Sequence, residues 1–198
     1  MIVLIDNGHG RETPGKRSPD GRLREYAWTR EVAQRIVGEL RRRGVIAHLI
    51  TPEQEDIPLR ERVKRVNDTC HKVGKQNVLL VSVHNNAAGD DGKWHDARGF
   101  AVYVSNNAGQ GSRRLASEFY AGAKARGLMG NRATPPQGFW QASLAVCRDT
   151  LCAAVLTENF FQDNREDVAY LLSSEGKTAI ADLHVNAISN YIATCEQR

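Results

Sequence analysis

Two histidines and two glutamates lie at positions in this sequence where side chains could carry out metal-assisted chemistry. His9 follows an apolar run and stands between two glycines, and His84 follows a second apolar run. Glu25 begins a helical pattern. Imidazole nitrogens and a carboxylate oxygen suit Zn²⁺, and three protein ligands leave a fourth position for water. His9, Glu25 and His84 are therefore candidate ligands of one zinc ion.

Glu158 is the candidate proton acceptor in such a site. A zinc ion lowers the pKa of its bound water towards about 7, and a carboxylate that is not a ligand can take that water's proton. Glu158 directly follows the apolar run 153–157, and an acid at the end of a buried strand needs a partner or a function. The pattern favours a hydrolase with Glu158 as general base.

Each of these residues also has a purely structural interpretation. A histidine at the end of a strand is commonly a hydrogen-bonded loop residue, and Glu25 in a first helical turn interacts favourably with the helix dipole. His95, in a polar loop, is a weaker fourth candidate for the metal. Structural roles are expected for the three histidines inside predicted strands or helices, which are His48, His71 and His184.

The elements that must position these residues follow from the apolar patterning. Short apolar runs predict strands over residues 1–6, 45–50, 77–83, 100–104, 143–146 and 152–157. Apolar residues at helical spacing predict helices over residues 25–43, 59–73, 112–126, 163–172 and 177–194. This alternation predicts a single-domain α/β fold over residues 1–198, with a mostly parallel twisted sheet of about six strands and helices on both faces. In such sheets the sites form beyond the carboxyl ends of the strands.

The composition excludes several classes of protein. The chain has 198 residues, of which 41% are hydrophobic, so intrinsic disorder is not expected. No apolar run approaches the roughly 18 residues of a membrane span. The net charge of +4 is spread along the chain, and its densest run, at residues 41–43, suits a helix C-terminus. Nucleic acid is therefore not an expected partner, and a polyanion-binding patch is the alternative interpretation of that run.

The cysteines and the N-terminus indicate in which cellular compartment the protein is made. No Cys-x-x-Cys spacing occurs among the four cysteines, so a cysteine-based zinc site is not expected. We expect reduced thiols, with a pair between Cys147 and Cys152 as the open alternative. The first residues lack the basic, apolar and small-residue succession of a signal peptide. Synthesis in the cytoplasm is expected, unless a leading segment was trimmed from this sequence.

Five separated blocks of the sequence occur in the same order in one known family. They are residues 5–10 (IDNGHG), 23–27 (LREYA), 59–67 (LRERVKRVN), 82–87 (SVHNNA) and 155–164 (VLTENFFQDN). With these blocks the chain resembles the zinc-dependent N-acetylmuramoyl-L-alanine amidases of the cell-wall hydrolase type. Small residues of the family pattern are replaced by Asn7 and Asn85, and its x-Gly pair is replaced by Asn159 and Phe160. These departures are expected to change the rim of the pocket and to leave the ligand chemistry intact.

The resemblance implies an activity and a role for each candidate residue. His9, Glu25 and His84 would bind one Zn²⁺, and Glu158 would be the catalytic carboxylate. The implied reaction hydrolyses the amide between N-acetylmuramic acid and the L-alanine of the peptidoglycan stem. The expected binding partner is peptidoglycan or a muropeptide. The protein is expected to be a monomer and to act on the cell wall after release or export.

Two other classes of protein stay open. Another zinc peptidase or amidohydrolase, acting on peptides or N-acylamino acids, would use the same residues. A non-catalytic wall-binding module would tolerate any change at Glu158. Whether an amidase of this kind is an autolysin, an endolysin, a remodelling enzyme or a toxin does not follow from the sequence.

Overall fold

The computed structural model describes residues 1–196. The strands are β1 (Ile2–Asn7), β2 (Ile46–Leu49), β3 (Val78–Asn86), β4 (Phe100–Ser105), β5 (Trp140–Ala142) and β6 (Ala153–Phe161). The helices are α1 (Glu25–Arg42), α2 (Leu59–Val73), α3 (Gln110–Ala125), α4 (Ala145–Arg148), α5 (Arg165–Leu172) and α6 (Ser174–Glu196). A short 3₁₀ helix, Lys75–Asn77, leads into β3. No helix among these is long and apolar enough to cross a membrane.

All six strands belong to one sheet, in the order β2-β1-β3-β6-β4-β5. Every neighbouring pair is parallel except β4 and β6, which run antiparallel. The predicted fold class, a single-domain α/β fold with a mostly parallel sheet of six strands, is therefore confirmed. Because β1, β3 and β6 are parallel neighbours, their carboxyl ends meet at one edge of the sheet.

Helices cover both faces of the sheet, and successive strand residues point to opposite faces. Val3 and Ile5 of β1 belong to a core shared with α1, α3, α5 and α6. Leu4 belongs to a second core, on the other face, which α2 and α4 complete. Asp6, two residues beyond Leu4, therefore lies on the face covered by α2. Residues of the neighbouring strands that are register partners of Asp6 share this face.

The predicted strand over residues 143–146 is wrong. The fifth strand lies earlier, at Trp140–Ala142, and the one-turn helix α4 follows it. A short apolar run has no periodicity that separates a strand from a buried helical turn. Here the helical turn buries Val146 and Cys147 in the core beneath α2. The four cysteines are free thiols, and Cys147 is not joined to Cys152.

The central strands β3 and β6 are longer than predicted. They continue through the polar residues of the candidate site and end at Asn86 and Phe161. His84 and Glu158 therefore lie within hydrogen-bonded strands, where the neighbouring strand fixes their backbone. The apolar pattern of the sequence does not indicate these hydrogen bonds between strands.

Candidate active site

The register of the sheet places the candidate residues beside one another. His84 on β3 is the direct partner of Glu158 on β6. Asp6 on β1 is the partner of Ser82, which lies two residues before His84. Residues paired in this way, and residues two apart on one strand, share a face of the sheet. The four side chains therefore lie together on the face covered by α2.

His9, Glu25 and His84 form one compact cluster. Their ligand atoms all lie within 4.8 Å of one another, and within residues 1–196 they are the only such group of metal-binding side chains. Oε1 of Glu25 lies 3.6 Å from Nε2 of His9 and 3.3 Å from Nδ1 of His84. The two imidazole rings meet edge to face, with centroids 5.0 Å apart. The three residues predicted from the sequence are thus brought together.

The bonding of Glu25 fits a cation in this cluster. The side chain is fully buried, and its Oε1 accepts a hydrogen bond of 2.9 Å from the backbone N–H of Asn85. Oε2 is also buried and has no hydrogen-bond partner. A buried carboxylate is costly unless positive charge and hydrogen bonds compensate it. Two imidazoles beside an orphaned carboxylate oxygen are a donor set suited to Zn²⁺.

The charges in the cluster respond to burial and to Glu25. Burial lowers the pKa of His9 to about 4, with the charge of Glu25 only partly opposing it, so His9 is neutral and can donate a lone pair. Burial also disfavours charge on His84, but the hydrogen bond and the charge of Glu25 outweigh it and raise the pKa of His84. Burial opposes ionisation of Glu25, yet His84 and His9 lower its pKa. Without a metal ion, a proton on His84 supplies the positive charge that Glu25 requires.

Glycines allow the loop after β1 to reach the cluster. His9 has a φ of +60°, a left-handed conformation that few non-glycine residues adopt. A Cβ on Gly8 would lie 2.4 Å from Nδ1 of His84, and one on Gly10 would lie 2.1 Å from the backbone nitrogen of Asp56. Both distances are far below van der Waals contact. Larger residues at either position would push the loop away from the cluster.

Helix α1 supplies Glu25 and also holds this loop. Thr29 Oγ1 donates a hydrogen bond of 3.2 Å to the carbonyl of Gly8. Arg30 Nη1 donates one of 2.9 Å to the carbonyl of His9. The helix that carries one candidate ligand, Glu25, therefore fixes the backbone of another, His9.

Glu158 stands beside the cluster without joining it. Its Oε2 is buried and has no hydrogen-bond partner. Burial raises the pKa of Glu158 to about 7, the charge of Glu25 adding to this effect and that of His84 opposing it. Glu158, His9 and His84 line one cavity of about 540 Å³. A carboxyl with a pKa near neutrality is suited to accept a proton and to return it.

The cavity has an apolar wall and shares one lining residue with a second cavity. Its apolar wall comes from the segment before α2, from α4 and from β6, as Ile57, Pro58, Leu59, Leu144, Val146 and Leu156. Lys16 lines this cavity and also a neighbouring polar cavity of about 490 Å³. That second cavity includes Arg17, Lys93, Gln162 and Asp163. The candidate residues therefore lie in a cavity that adjoins a second, polar cavity at Lys16.

The departures from the family pattern mostly lie away from the rim. Asn7 and Asn159 are fully buried. Nδ2 of Asn159 donates a hydrogen bond of 2.9 Å to the carbonyl of His84. Asn85 does line the cavity. The expectation that these departures change the pocket therefore concerns Asn85, whereas Asn159 supports the backbone of His84 and Asn7 is buried.

Phe160 has a backbone conformation that explains the family's glycine. The register shifts after His84, so that β6 carries one extra residue in a β-bulge. Phe160 lies in this bulge with a φ of +65°, which costs a non-glycine residue about 1–2 kcal/mol. Its ring is buried, 5.2 Å from the ring of Tyr170, and burial of a phenylalanine contributes about 1.5–3 kcal/mol. The burial offsets the strain, and the ring packs on α5, away from the candidate site.

Sequence reasoning missed the residues behind the cluster. Asp6, Ser82 and Arg62 form a buried hydrogen-bonded group that reaches His84. Asp6 and Ser82 lie in sequence blocks that resemble the family, but their contact depends on the β1–β3 register. His95 forms an ion pair of 3.0 Å with Asp91 and does not belong to the metal-binding cluster.

Comparisons with known proteins agree with this architecture. The family pattern of N-acetylmuramoyl-L-alanine amidases matches residues 3–190. The endolysin of Bacillus phage SPP1 is 26% identical over 192 residues, which cover 96% of this chain and 66% of the endolysin. This chain thus spans slightly less than two thirds of that relative's length.

Solved structures of amidases share the fold. The N-acetylmuramoyl-L-alanine amidase from Clostridium difficile 630 superposes with a TM-score of 0.83 at 21% identity, covering 98% of this chain and 97% of that one. The enzyme from Mycobacterium smegmatis superposes with a TM-score of 0.82 at 22% identity, with the same coverage.

The fold is the α/β fold of these amidases, and the site contains one candidate metal-binding cluster. The chain belongs to the N-acetylmuramoyl-L-alanine amidase family. The predicted family is thereby confirmed. Members of this family depend on a metal ion, and the cluster of His9, Glu25 and His84 is the candidate metal site of this chain.

Proposed function

We propose that this chain hydrolyses the amide between N-acetylmuramic acid and L-alanine in peptidoglycan, with one Zn²⁺ held by His9, Glu25 and His84. The observation that carries the proposal is the buried Glu25 carboxylate, which lies between two imidazoles and has one oxygen without a partner. Glu158 lies next to this cluster in the same cavity. In this proposal Glu158 is the general base and acid.

The chain's own residues account for the proton transfers of this reaction. Bound zinc would polarise the scissile carbonyl and lower the pKa of water. Burial raises the pKa of Glu158 to about 7, so near neutral pH this carboxyl can both accept a proton and return it. Glu158 takes a proton from the attacking water as the new carbon–oxygen bond forms. It then returns that proton to the nitrogen of L-alanine as the carbon–nitrogen bond breaks.

Product analysis of purified muropeptides tests the proposed function. The expected products are the intact stem peptide with a free L-alanine amine and the peptide-free saccharide. Cleavage within the stem peptide would instead indicate a zinc peptidase, and hydrolysis restricted to N-acylamino acids would indicate another amidohydrolase. Binding to cell walls with no product at all would indicate a non-catalytic wall-binding module.

The two cavities suggest how the substrate is placed. A muropeptide extends from its scissile amide in two directions, and the two cavities share the lining residue Lys16. The amine of Lys16 makes no ion pair with any residue of the described range 1–196, and its charge acts on Glu158 and Glu25. Peptidoglycan stem peptides carry carboxylates. We therefore assign Lys16 to an ionic contact with a stem carboxylate.

Replacing Lys16 with methionine is expected to raise KM by about 1.5–5-fold, which corresponds to one partly exposed ionic contact, with little change in kcat. The loss should be larger on stems with free carboxylates than on amidated stems. Steady-state kinetics on the two substrates measure this difference. Lys72→Met, at an exposed position in the last turn of α2, is the matched control. An equal loss on both substrates contradicts the assignment.

The similarity to a phage endolysin supports a role in breaking the cell wall. We further propose that residues 1–198 form one catalytic domain that acts as a monomer and reaches its substrate after release or export. Light scattering of the purified protein tests the oligomeric state. A stable dimer would contradict that part of the proposal.

A further inference from the structure

A buried chain of hydrogen bonds runs from His84 away from the metal-binding cluster. Ser82 Oγ lies 3.1 Å from Nε2 of His84 and 2.6 Å from Oδ2 of Asp6. The other oxygen of Asp6 accepts a hydrogen bond of 2.7 Å from Nη1 of Arg62. Ser82 is 0% exposed, Asp6 1% and Arg62 2%. Bulk water therefore has very little access to these groups, and they satisfy one another.

The negative charge of Asp6 sets the direction of the hydrogen bonds between Asp6, Ser82 and His84. Asp6 is paired with the buried guanidinium of Arg62 and, as a carboxylate, can only accept. The single hydroxyl proton of Ser82 is therefore donated to Asp6, and 2.6 Å is the length of a charge-assisted O–H···O⁻ bond. Only lone pairs of Ser82 remain for His84. Nε2 of His84 must then carry the proton.

We propose that Ser82 and Asp6 are positioning residues that hold His84 in the tautomer protonated on Nε2, with the lone pair of Nδ1 facing the metal site. This inference rests on the proposed function, because it assumes that His84 is a metal ligand. Nδ1 is the nitrogen that lies 3.3 Å from Oε1 of Glu25, inside the cluster. A ligating histidine whose second nitrogen is held by a hydrogen-bonded partner binds its metal better.

In the alternative tautomer, two candidate ligand atoms would bond to each other and would be unavailable to a metal ion. A proton on Nδ1 of His84 would be donated to Oε1 of Glu25, since the two atoms are already 3.3 Å apart. That hydrogen bond would occupy one ligand atom of His84 and one ligand atom of Glu25. By requiring the proton on Nε2, Ser82 keeps both atoms available to a cation.

The fold makes this arrangement rigid. Asp6 and Ser82 are register partners on adjacent parallel strands, and Ser82 and His84 lie two apart on β3, on one face of the sheet. Arg62 also donates to the carbonyl of Asn7 at 2.7 Å. The carboxylate is thus held beside Ser82 by α2 and β1 together.

The test compares Ser82→Ala with Ser105→Ala, a second buried serine on β4 whose hydroxyl is bonded to Asn107 and lies outside the active-site cavity. Zinc affinity is measured by competition with a chromophoric chelator. Loss of such outer contacts typically weakens metal binding about 10–100-fold, and we expect that loss for Ser82→Ala only. Unchanged zinc affinity in Ser82→Ala would overturn the proposal.

A second measurement separates positioning from simple structural support. Long-range ¹H–¹⁵N spectra of the metal-free protein, recorded at alkaline pH where His84 is neutral, report which ring nitrogen is protonated. Wild-type protein should show Nε2–H, and Ser82→Ala should shift His84 towards Nδ1–H. A wild-type Nδ1–H tautomer would overturn the proposal. Because these spectra need no metal, they test the positioning role even if the wild-type protein binds no zinc and the proposed function fails.

Discussion

Replacing Glu158 with glutamine is expected to lower turnover of muropeptides by about 10²–10⁴-fold, the usual contribution of a general base. Glutamine has nearly the same shape but cannot accept the proton of the attacking water. Zinc content should stay near that of the wild type, because Glu158 lies outside the cluster of His9, Glu25 and His84. Turnover and elemental analysis of the same samples measure both quantities. Loss of zinc together with activity would make Glu158 a ligand and contradict its proposed role.

The same variant should be more stable than the wild type when metal is absent. Burial raises the pKa of Glu158 from 4.5 to about 7, so over this interval the folded state binds more protons than the unfolded state. Stability then falls as pH rises through this range. Glutamine has no proton to lose, so Glu158→Gln should exceed the wild type by on the order of 1–3 kcal/mol above pH 7 and match it at pH 4.

Denaturant unfolding of chelated samples at the two pH values measures this gain. Glu175→Gln, an exposed glutamate in the first turn of α6, is the control and should gain no stability at either pH, because its charge interacts favourably with the helix dipole. Equal stability of Glu158→Gln and wild type above pH 7 would show that the folded protein ionises Glu158 without cost. A gain in stability on losing a catalytic group is the usual trade-off at active sites.

The metal-binding cluster could be predicted from the sequence because it depends on a general rule of topology. Parallel strands end at the same edge of their sheet, so polar residues after separate apolar runs meet there. His9 and His84 follow two such runs, and Glu25 begins the helix between them. None of these placements required knowledge of side-chain packing. The same rule indicated Glu158, since β6 lies next to β3.

The parts that could not be predicted depend on register and packing between distant segments. The contact of Asp6 with Ser82 requires the alignment of two strands that lie about 75 residues apart in the chain. The one-turn helix α4 was mistaken for a strand because four residues carry no period. The left-handed conformation of Phe160 arises from a bulge, and the aromatic side chain gives no sign of it. Local patterns thus indicate which residues can react, whereas tertiary alignment determines what supports them.

Removing His84 is expected to abolish both metal binding and activity. His84→Ala leaves two of the three proposed ligands, so zinc content should fall from about one per chain to near zero. A chelator should likewise inactivate the wild type, and added zinc should restore it. Because bound metal stabilises the folded state by about 4 kcal/mol at a thousand times its Kd, the chelator should also lower the Tm of the wild type. It should leave the Tm of His84→Ala unchanged.

The electrostatics of the cluster add a sharper expectation for this variant. In the metal-free wild type, a proton on His84 compensates the buried charge of Glu25, which raises the pKa of His84. His84→Ala removes that compensation and should be less stable than the chelated wild type, by about 3–5 kcal/mol if Glu25 stays ionised. Adding Glu25→Gln should recover part of this loss, while His71→Ala, at an exposed position on α2, should match the wild type throughout. If His84→Ala keeps its zinc and its chelator-dependent Tm, the metal is bound elsewhere and the assignment of His9, Glu25 and His84 is wrong.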